Sequence, residues 1–243
     1  MSDGIILGGK RYECRAPVLT WEEHGMEFKI GRGARRRVEE IDLFVWHWTG
    51  GENEPPTMYR TLEKRKLGVE FAITRAETTP GYATIYQFAD PLILDTFDAG
   101  YVNRVSMGCE VINYGWRRLK NLGRIPKRGR DRERYKTLWN GRRPTYARFY
   151  PHQLHSVLAL ADAVCDSGVT KIEKRVPRAP AVTPRGVIGR EIIGEPVEDL
   201  LRRPMTKDEL IDFHGHIGHN HVTKKKSDPG TDLLQHLMIN GYA

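Results

Sequence analysis

Two stretches of the 243-residue chain carry side chains that could do chemistry together. In the first, His47 lies near the end of the apolar run Phe44-Val45-Trp46-His47-Trp48-Thr49-Gly50-Gly51. An imidazole at the C-terminal end of a buried strand sits where a sheet presents side chains to a ligand. The second is His214-Gly215-His216-Ile217-Gly218-His219-Asn220-His221, followed by Lys224-Lys225-Lys226-Ser227-Asp228-Pro229-Gly230. With no thiolate on offer, zinc takes imidazole nitrogen and carboxylate oxygen. A catalytic zinc site needs three protein ligands and one open position for water. His47, one histidine of the cluster and Asp228 would supply that set, and the chemistry would be metal-assisted hydrolysis. Against it, a single histidine on an apolar strand is more often a core residue. A histidine-rich tract can also take up metal adventitiously, and the spacing is not the HExxH pattern of zincins.

Those side chains need elements to position them. Residues 41–48 form a β-prone apolar run stopped by Thr49-Gly50-Gly51, which predicts a buried central strand. Residues 55–66 predict a helix, with Pro56 in its first turn and Met58, Leu62 and Leu67 marking one face. Residues 69–74 and 83–88 read as strands joined by a turn containing Pro80-Gly81, and 106–112 as another. The clearest helix spans 151–167: Leu154, Val157, Leu158, Ala161 and Val164 keep helical spacing, and Gly168 is a good stop. Thr206-Lys207-Asp208-Glu209 has the form of a capping box, and 231–239 reads as a last helix. His214 and His216 are expected to precede the strand of the cluster and to play no direct part in binding. Residues 1–40 read as an irregular N-terminal arm. A single domain over 41–243 follows, with inserts at 113–150 and 173–204. The mixed order of strands and helices predicts an α/β fold with a central mixed β-sheet flanked by helices.

Composition sets the outer bounds. With 39% hydrophobic residues and charges of both signs, the chain can bury one sizeable core, which excludes collagen-like and wholly disordered classes. No apolar run approaches the ~20 residues of a bilayer-spanning helix, so membrane insertion is not expected. Cys14, Cys109 and Cys165 are odd in number and far apart, which argues against a disulfide framework and a cysteine zinc site. The N-terminus has no basic segment before a long apolar stretch, so synthesis in the cytoplasm without a secretory signal is expected. The positive charge is concentrated. Residues 113–150 hold thirteen Lys and Arg against Asp131 and Glu133, a net of +11 in a chain of net +8. The same segment holds Tyr114, Trp116, Tyr135, Trp139, Tyr146, Phe149 and Tyr150. Cations interleaved with rings suit a polyanion or a sugar polymer, although charge runs are as often a solvated loop.

The residues around His47 resemble the "V-I-H-H-T-G" strand of the zinc-dependent N-acetylmuramoyl-L-alanine amidases. That family includes phage amidase endolysins, bacterial anhydro-muropeptide amidases and peptidoglycan-recognition proteins. Ile217-Gly218-His219-Asn220-His221-Val222 and Lys226-Ser227-Asp228-Pro229-Gly230 resemble its closing "G-H-x-x-V … K-T-D-P-G" motif. Asn103-Arg104-Val105-Ser106-Met107-Gly108-Cys109-Glu110-Val111 resembles its "N-x-x-S-I-G-I-E" strand. The three motifs occur in the family's order and cover roughly 40–112, 150–170 and 215–240.

The resemblance implies an amidase type 2 fold shared with peptidoglycan-recognition proteins. It implies His47, His219 and Asp228 as ligands of Zn2+, with His221 the rival to His219. Glu110 would be the general base and Lys226 would stand near the developing oxyanion. Asn103, Trp48 and Trp116 would contact substrate. The implied reaction is hydrolysis of the amide between N-acetylmuramic acid and L-alanine. The partner is peptidoglycan, both glycan strand and stem peptide, attacked by an endolysin-like monomer reaching the wall after holin-type release. The chain departs from the pattern in its His219-to-Asp228 spacing, which is shorter by one residue than in some members, and in two segments. Gly68-Val69-Glu70-Phe71 stands where phage members carry "G-Y-H-F", and Phe97-Asp98-Ala99-Gly100 where many carry "W-H-A-G". Two other readings are a peptidoglycan-binding module without catalysis, and nucleic-acid binding through the basic segment. No nucleic-acid motif accompanies that segment, so no nucleic-acid partner is expected.

Overall fold

Alternation of side chains across one strand organises the molecule. Strand β3 (Leu43–Trp48) is buried at all six positions, so both of its faces must be covered. Phe44, Trp46 and Trp48 point to one face; Leu43, Val45 and His47 point to the other. A computed structural model describes residues 2–28, 41–51, 53–113, 134–136, 145–147, 149–177, 204–223, 225–226, 228–229 and 231–242. Within it, β3 belongs to a seven-stranded mixed sheet of order β1-β2-β5-β4-β6-β3-β9. The strands are β1 (Ser2–Leu7), β2 (Lys10–Thr20), β3, β4 (Phe71–Thr79), β5 (Tyr82–Gln87), β6 (Ser106–Val111) and β9 (Gly215–Gly218). β3 runs parallel to both neighbours, β6 and β9, and β6 runs parallel to β4.

The main core lies on the Phe44 face. There, Phe71, Ile73, Met107, Cys109 and Val111 pack under helix α3 (Pro151–Asp166) and the C-terminal helix α6 (Thr231–Ile239) through Val157, Leu160, Val164, Leu233, Leu234 and Leu237. Each such aliphatic side chain contributes roughly 1.5–3 kcal/mol when fully buried. The other face carries two smaller clusters. Leu43, Val45 and Ile217 meet Val102, Leu210, Phe213 and Val222 in one. Ala72 meets Phe28, Met58, Val69 and Phe88 in the other. Between these clusters the second face is polar. The observed class is therefore the expected one, a central mixed sheet with flanking helices.

Several elements follow the sequence closely. Helix α2 (Pro55–Lys64) ends two residues earlier than its apolar spacing suggests, because Lys66 takes a left-handed φ of 55°. Thr206 caps α4 (Lys207–Ile211): its hydroxyl accepts from Glu209 N, and Glu209 Oε2 accepts from Thr206 N at 2.7 Å. Strand β9 begins at Gly215, so His216 lies within the strand, not ahead of it, and His219 opens the short helix α5 (His219–Val222).

The N-terminal residues differ from expectation. In place of an irregular arm, Ser2–Leu7 and Lys10–Thr20 form an antiparallel hairpin that extends the sheet, with β2 parallel to β5. Gly8 and Gly9, at φ 61° and 75°, make the two-residue turn, where two successive left-handed residues favour glycine. Asp90 accepts from Gly8 N at 2.9 Å and Gly9 N at 2.7 Å. The Gln87 amide clamps β1, accepting from Ile6 N at 2.8 Å and donating to Ile6 O at 2.6 Å. A short helix, α1 (Trp21–His24), follows.

Within the basic segment, β7 (Arg134–Lys136) and β8 (Thr145–Ala147) pair antiparallel in a sheet of their own, and Phe149 is buried in the main core. Most of the second insert, 178–203, lies outside the described residues, whereas Ile172 and Val176 are buried and Arg175 O accepts from His216 N. The three cysteines are free thiols. Among the described residues, no helix is long and apolar enough to cross a membrane.

Candidate metal centre and active site

The site is built on the second face of the sheet, at the C-terminal ends of β3, β6 and β9. His47 is the last inward residue of β3 on that face, and it pairs in register with Glu110 of β6. Parallel pairing sets their side chains next to each other. Gly218 ends β9 opposite Trp46, so the chain enters α5 with His219 beside His47; their rings meet edge to face at 4.6 Å. A Cβ at Gly218 would collide with Asn220 Oδ1 and Pro229 Cδ, so glycine lets the 228–229 segment close over the strand end. Asn220 N donates to Asp228 O at 3.0 Å and holds that segment in place.

Asp228 Oδ2 then lies 3.4 Å from His47 Nδ1 and 3.3 Å from His219 Nδ1. Each of the three residues offers one donor atom, these atoms lie within 4.8 Å of one another, and all three residues are buried. Two imidazole nitrogens and one carboxylate oxygen, the cluster found among the described residues, match the ligand chemistry of a catalytic zinc site. The residues present thus fit the ion. His221, the rival to His219, is placed elsewhere: its Nδ1 accepts from Gly218 N at 2.9 Å and closes the start of α5.

Charge is arranged closely around this centre. Burial works against a charge on His47, but hydrogen bonds to Asp228 and Asp98 outweigh it and push its pKa up to about 10 in the metal-free protein. Burial also opposes charge on Asp228, yet the hydrogen bonds from His219 and His47 hold its carboxyl well below the usual range. For His219, burial wins and lowers the pKa. Glu110 is pushed up to about 7, first by burial; the attraction of His47 and Lys226 opposes this, while Asp228 and Asp98 add to it. A carboxylate poised near neutrality is suited to exchanging a proton with a reacting water. Lys226 is exposed, and its charge is felt at both Glu110 and His219.

Not every expected residue joins the site. Trp48 points to the opposite face from His47 and is buried in the main core, because strand alternation separates neighbours by a whole sheet. This corrects its assignment to substrate contact. Asn103 is buried too, and its Oδ1 accepts from Ala99 N at 2.7 Å, which ties the segment leading to the 3₁₀ turn Gly100–Val105. Its side-chain carbonyl is engaged by the backbone. Trp116 lies outside the described residues.

Two acids that the sequence left without a role border the site. Asp98 Oδ2 is 3.2 Å from His47 Nε2. Glu70 Oε2 accepts from Gly108 N at 2.7 Å, binding β6 to the segment before β4. The signal for Asp98 was its place in the "W-H-A-G"-like segment, but nothing in one dimension tied it to His47, 51 residues away.

No protein-family model matches the chain, and no curated protein sequence does. Solved structures resemble it, and those below are N-acetylmuramoyl-L-alanine amidases. The endolysin amidase LysCS from Clostridium intestinale URNW is 12% identical, covering 93% of this chain and 97% of that chain at a TM-score of 0.49. LysC from the same organism is 13% identical, covering 88% and 95% at a TM-score of 0.45. AmiD from E. coli, solved in complex with anhydro-N-acetylmuramic acid-L-Ala-D-gamma-Glu-L-Lys, is 20% identical, covering 64% and 56% at a TM-score of 0.36.

Proposed function

We propose that this chain is a zinc-dependent amide hydrolase that cleaves the bond between N-acetylmuramic acid and L-alanine in bacterial peptidoglycan, acting on the wall in the manner of an endolysin. The observation that carries the reading is the convergence of His47 Nδ1, His219 Nδ1 and Asp228 Oδ2 beside Glu110. It falls on the residues that the amidase-like motifs single out.

His47, His219 and Asp228 would hold the ion. When bound, zinc supplies a Lewis acid that brings the pKa of a water down to about 7 and polarises a carbonyl. Glu110 takes the proton of the attacking water and returns it to the departing L-alanine nitrogen. The C–N bond breaks to a carboxylate on the lactyl side and a free amine on the peptide. The Lys226 ammonium offsets negative charge as the carbonyl oxygen becomes tetrahedral. The basic segment at 113–150 would hold the enzyme on the anionic wall, so binding should weaken with salt.

The test is zinc content, loss of turbidity and new amino termini on purified peptidoglycan, for wild type and His219→Ala. One zinc per chain, with new L-alanine amines that the variant does not produce, is the expected result. Tight zinc and wall binding without cleavage would instead indicate a recognition module. No zinc and no cleavage would overturn the reading.

A further inference from the structure

We propose that Asp98 is a positioning residue of the metal centre: it accepts the Nε2–H of His47 and so fixes this ring with its Nδ1 lone pair aimed at the ion. The inference rests on the metal-centre reading above and adds to it a fourth residue, which donates nothing to the ion.

A neutral imidazole carries one proton, and the nitrogen that holds it is set by what that proton meets. His47 Nδ1 faces Asp228 and the ligand cluster, and Nε2 faces Asp98 at 3.2 Å. The two partner carboxylates therefore ask opposite things of one ring. Only the tautomer protonated at Nε2 satisfies Asp98 and leaves Nδ1 free to coordinate. The two side chains are 3% and 6% exposed, so water does not screen the pair. A buried carboxylate without such a partner would be costly.

The surroundings are shaped for the carboxylate. Any Cβ at position 108 would collide with Asp98 Oδ2, so the glycine of β6 makes the space in which the carboxylate sits. The Asn103–Ala99 hydrogen bond fixes the backbone immediately after it. Charge adds a further argument. With His47 and His219 neutral, Asp98 and Asp228 together balance one divalent cation.

The experiment measures zinc affinity of the full chain by competition with a chelating dye, for wild type, Asp98→Ala, Asp98→Asn, Gly108→Ala and the double variant Asp98→Ala/Gly108→Ala. Loss of a carboxylate behind a ligating histidine lowers metal affinity about 10–100-fold. Asp98→Ala should fall in that range, and Asp98→Asn by less, since an amide oxygen still accepts. Gly108→Ala displaces the carboxylate and should resemble Asp98→Ala. In the double variant the added methyl has room, so its affinity should match that of Asp98→Ala alone, a non-additivity that general loosening of the fold does not produce. In the zinc-loaded wild type, the His47 Nε2 proton should exchange slowly with solvent in a long-range nitrogen–proton NMR spectrum, and rapidly in Asp98→Ala. Wild type that binds zinc while all variants bind it equally overturns the role of Asp98 and leaves the proposed function standing. Wild type that binds no zinc overturns both. Should Asp98→Ala not fold, Asp98→Asn and Gly108→Ala decide the question by the same criterion.

Discussion

Strands β3 and β9 lie side by side and each buries a histidine, but the two histidines meet opposite environments. His47 faces the polar side of the sheet between Asp98 and Asp228, and its pKa rises to about 10. His216 faces the apolar side among Phe44, Trp46 and Tyr242, and burial takes its pKa down to about 3. Its Nδ1 accepts from Trp46 Nε1 at 3.3 Å, so it is held neutral with its other nitrogen toward Cys165 Sγ. Burial is the largest influence on both and pushes both downward; the carboxylates reverse it for one. A sheet that is apolar on one side and acid-lined on the other can thus hold imidazoles of opposite character on adjacent strands, one kept neutral and one drawn toward its charged form.

The comparison is broken most directly by removing each ring. His47→Ala should lose zinc binding by more than the ~100-fold expected for a supporting residue, and hydrolysis with it. His216→Ala should leave zinc affinity within about twofold. Chelator competition on the two variants measures this, and a His216 variant that folds yet loses zinc equally would show that the faces are not independent. The acids of the polar face come next. Glu110→Gln should lower kcat by roughly 10²–10⁴-fold with zinc still bound. In wild type, activity should rise through neutral pH as Glu110, its pKa raised by burial, gives up its proton, and the profile should change in the variant. An unchanged pH–rate profile would remove Glu110 from the reaction.

Smaller effects belong to stability. His216→Ala leaves a cavity and orphans the Trp46 indole proton, at a cost of about 2–4 kcal/mol in urea unfolding. His216 also ties stability to pH. Its folded pKa lies below the unfolded value, so between about pH 6.5 and pH 3 the unfolded chain binds the extra proton. Stability from this residue is complete above that window and falls as pH drops through it, by at most about 1.4 kcal/mol per pH unit. Unfolding midpoints at pH 7 and pH 5 should converge in a His216→Phe variant. Thr206→Ala, remote from both histidines, should cost about 1 kcal/mol through loss of its cap and change neither zinc affinity nor rate.

What could be read in one dimension follows from how far apart the interacting residues lie. β3, α3 and the Thr206 cap announce themselves because apolar period and capping chemistry are local. The pair His219 and Asp228 is also nearly local, and the motif around Gly218 separated it from His221. β2 was not legible, because its inward residues Cys14, Ala16 and Thr20 are small or polar, Arg11, Glu13 and Arg15 carry charge, and Pro17 interrupts the run. Gly8-Gly9 between two β-prone segments was the available sign of a hairpin. Trp48 was misplaced because proximity to His47 in sequence was read as proximity in space, when successive strand residues face opposite ways. Asp98 stood out only as a departure from the W-H-A-G pattern, and its contact with His47 and the space Gly108 leaves for it depend on how distant segments meet in the fold.

The N-terminal hairpin has a practical consequence for the sheet margin. β1 and β2 cover β5, whose Ala83 and Ile85 are fully buried, and Gln87 and Asp90 bond back to them. A chain trimmed to start after Thr20 would bare an apolar strand with unpaired backbone groups, the template on which proteins aggregate. A chain shortened in this way would keep His47, His219 and Asp228 and still precipitate.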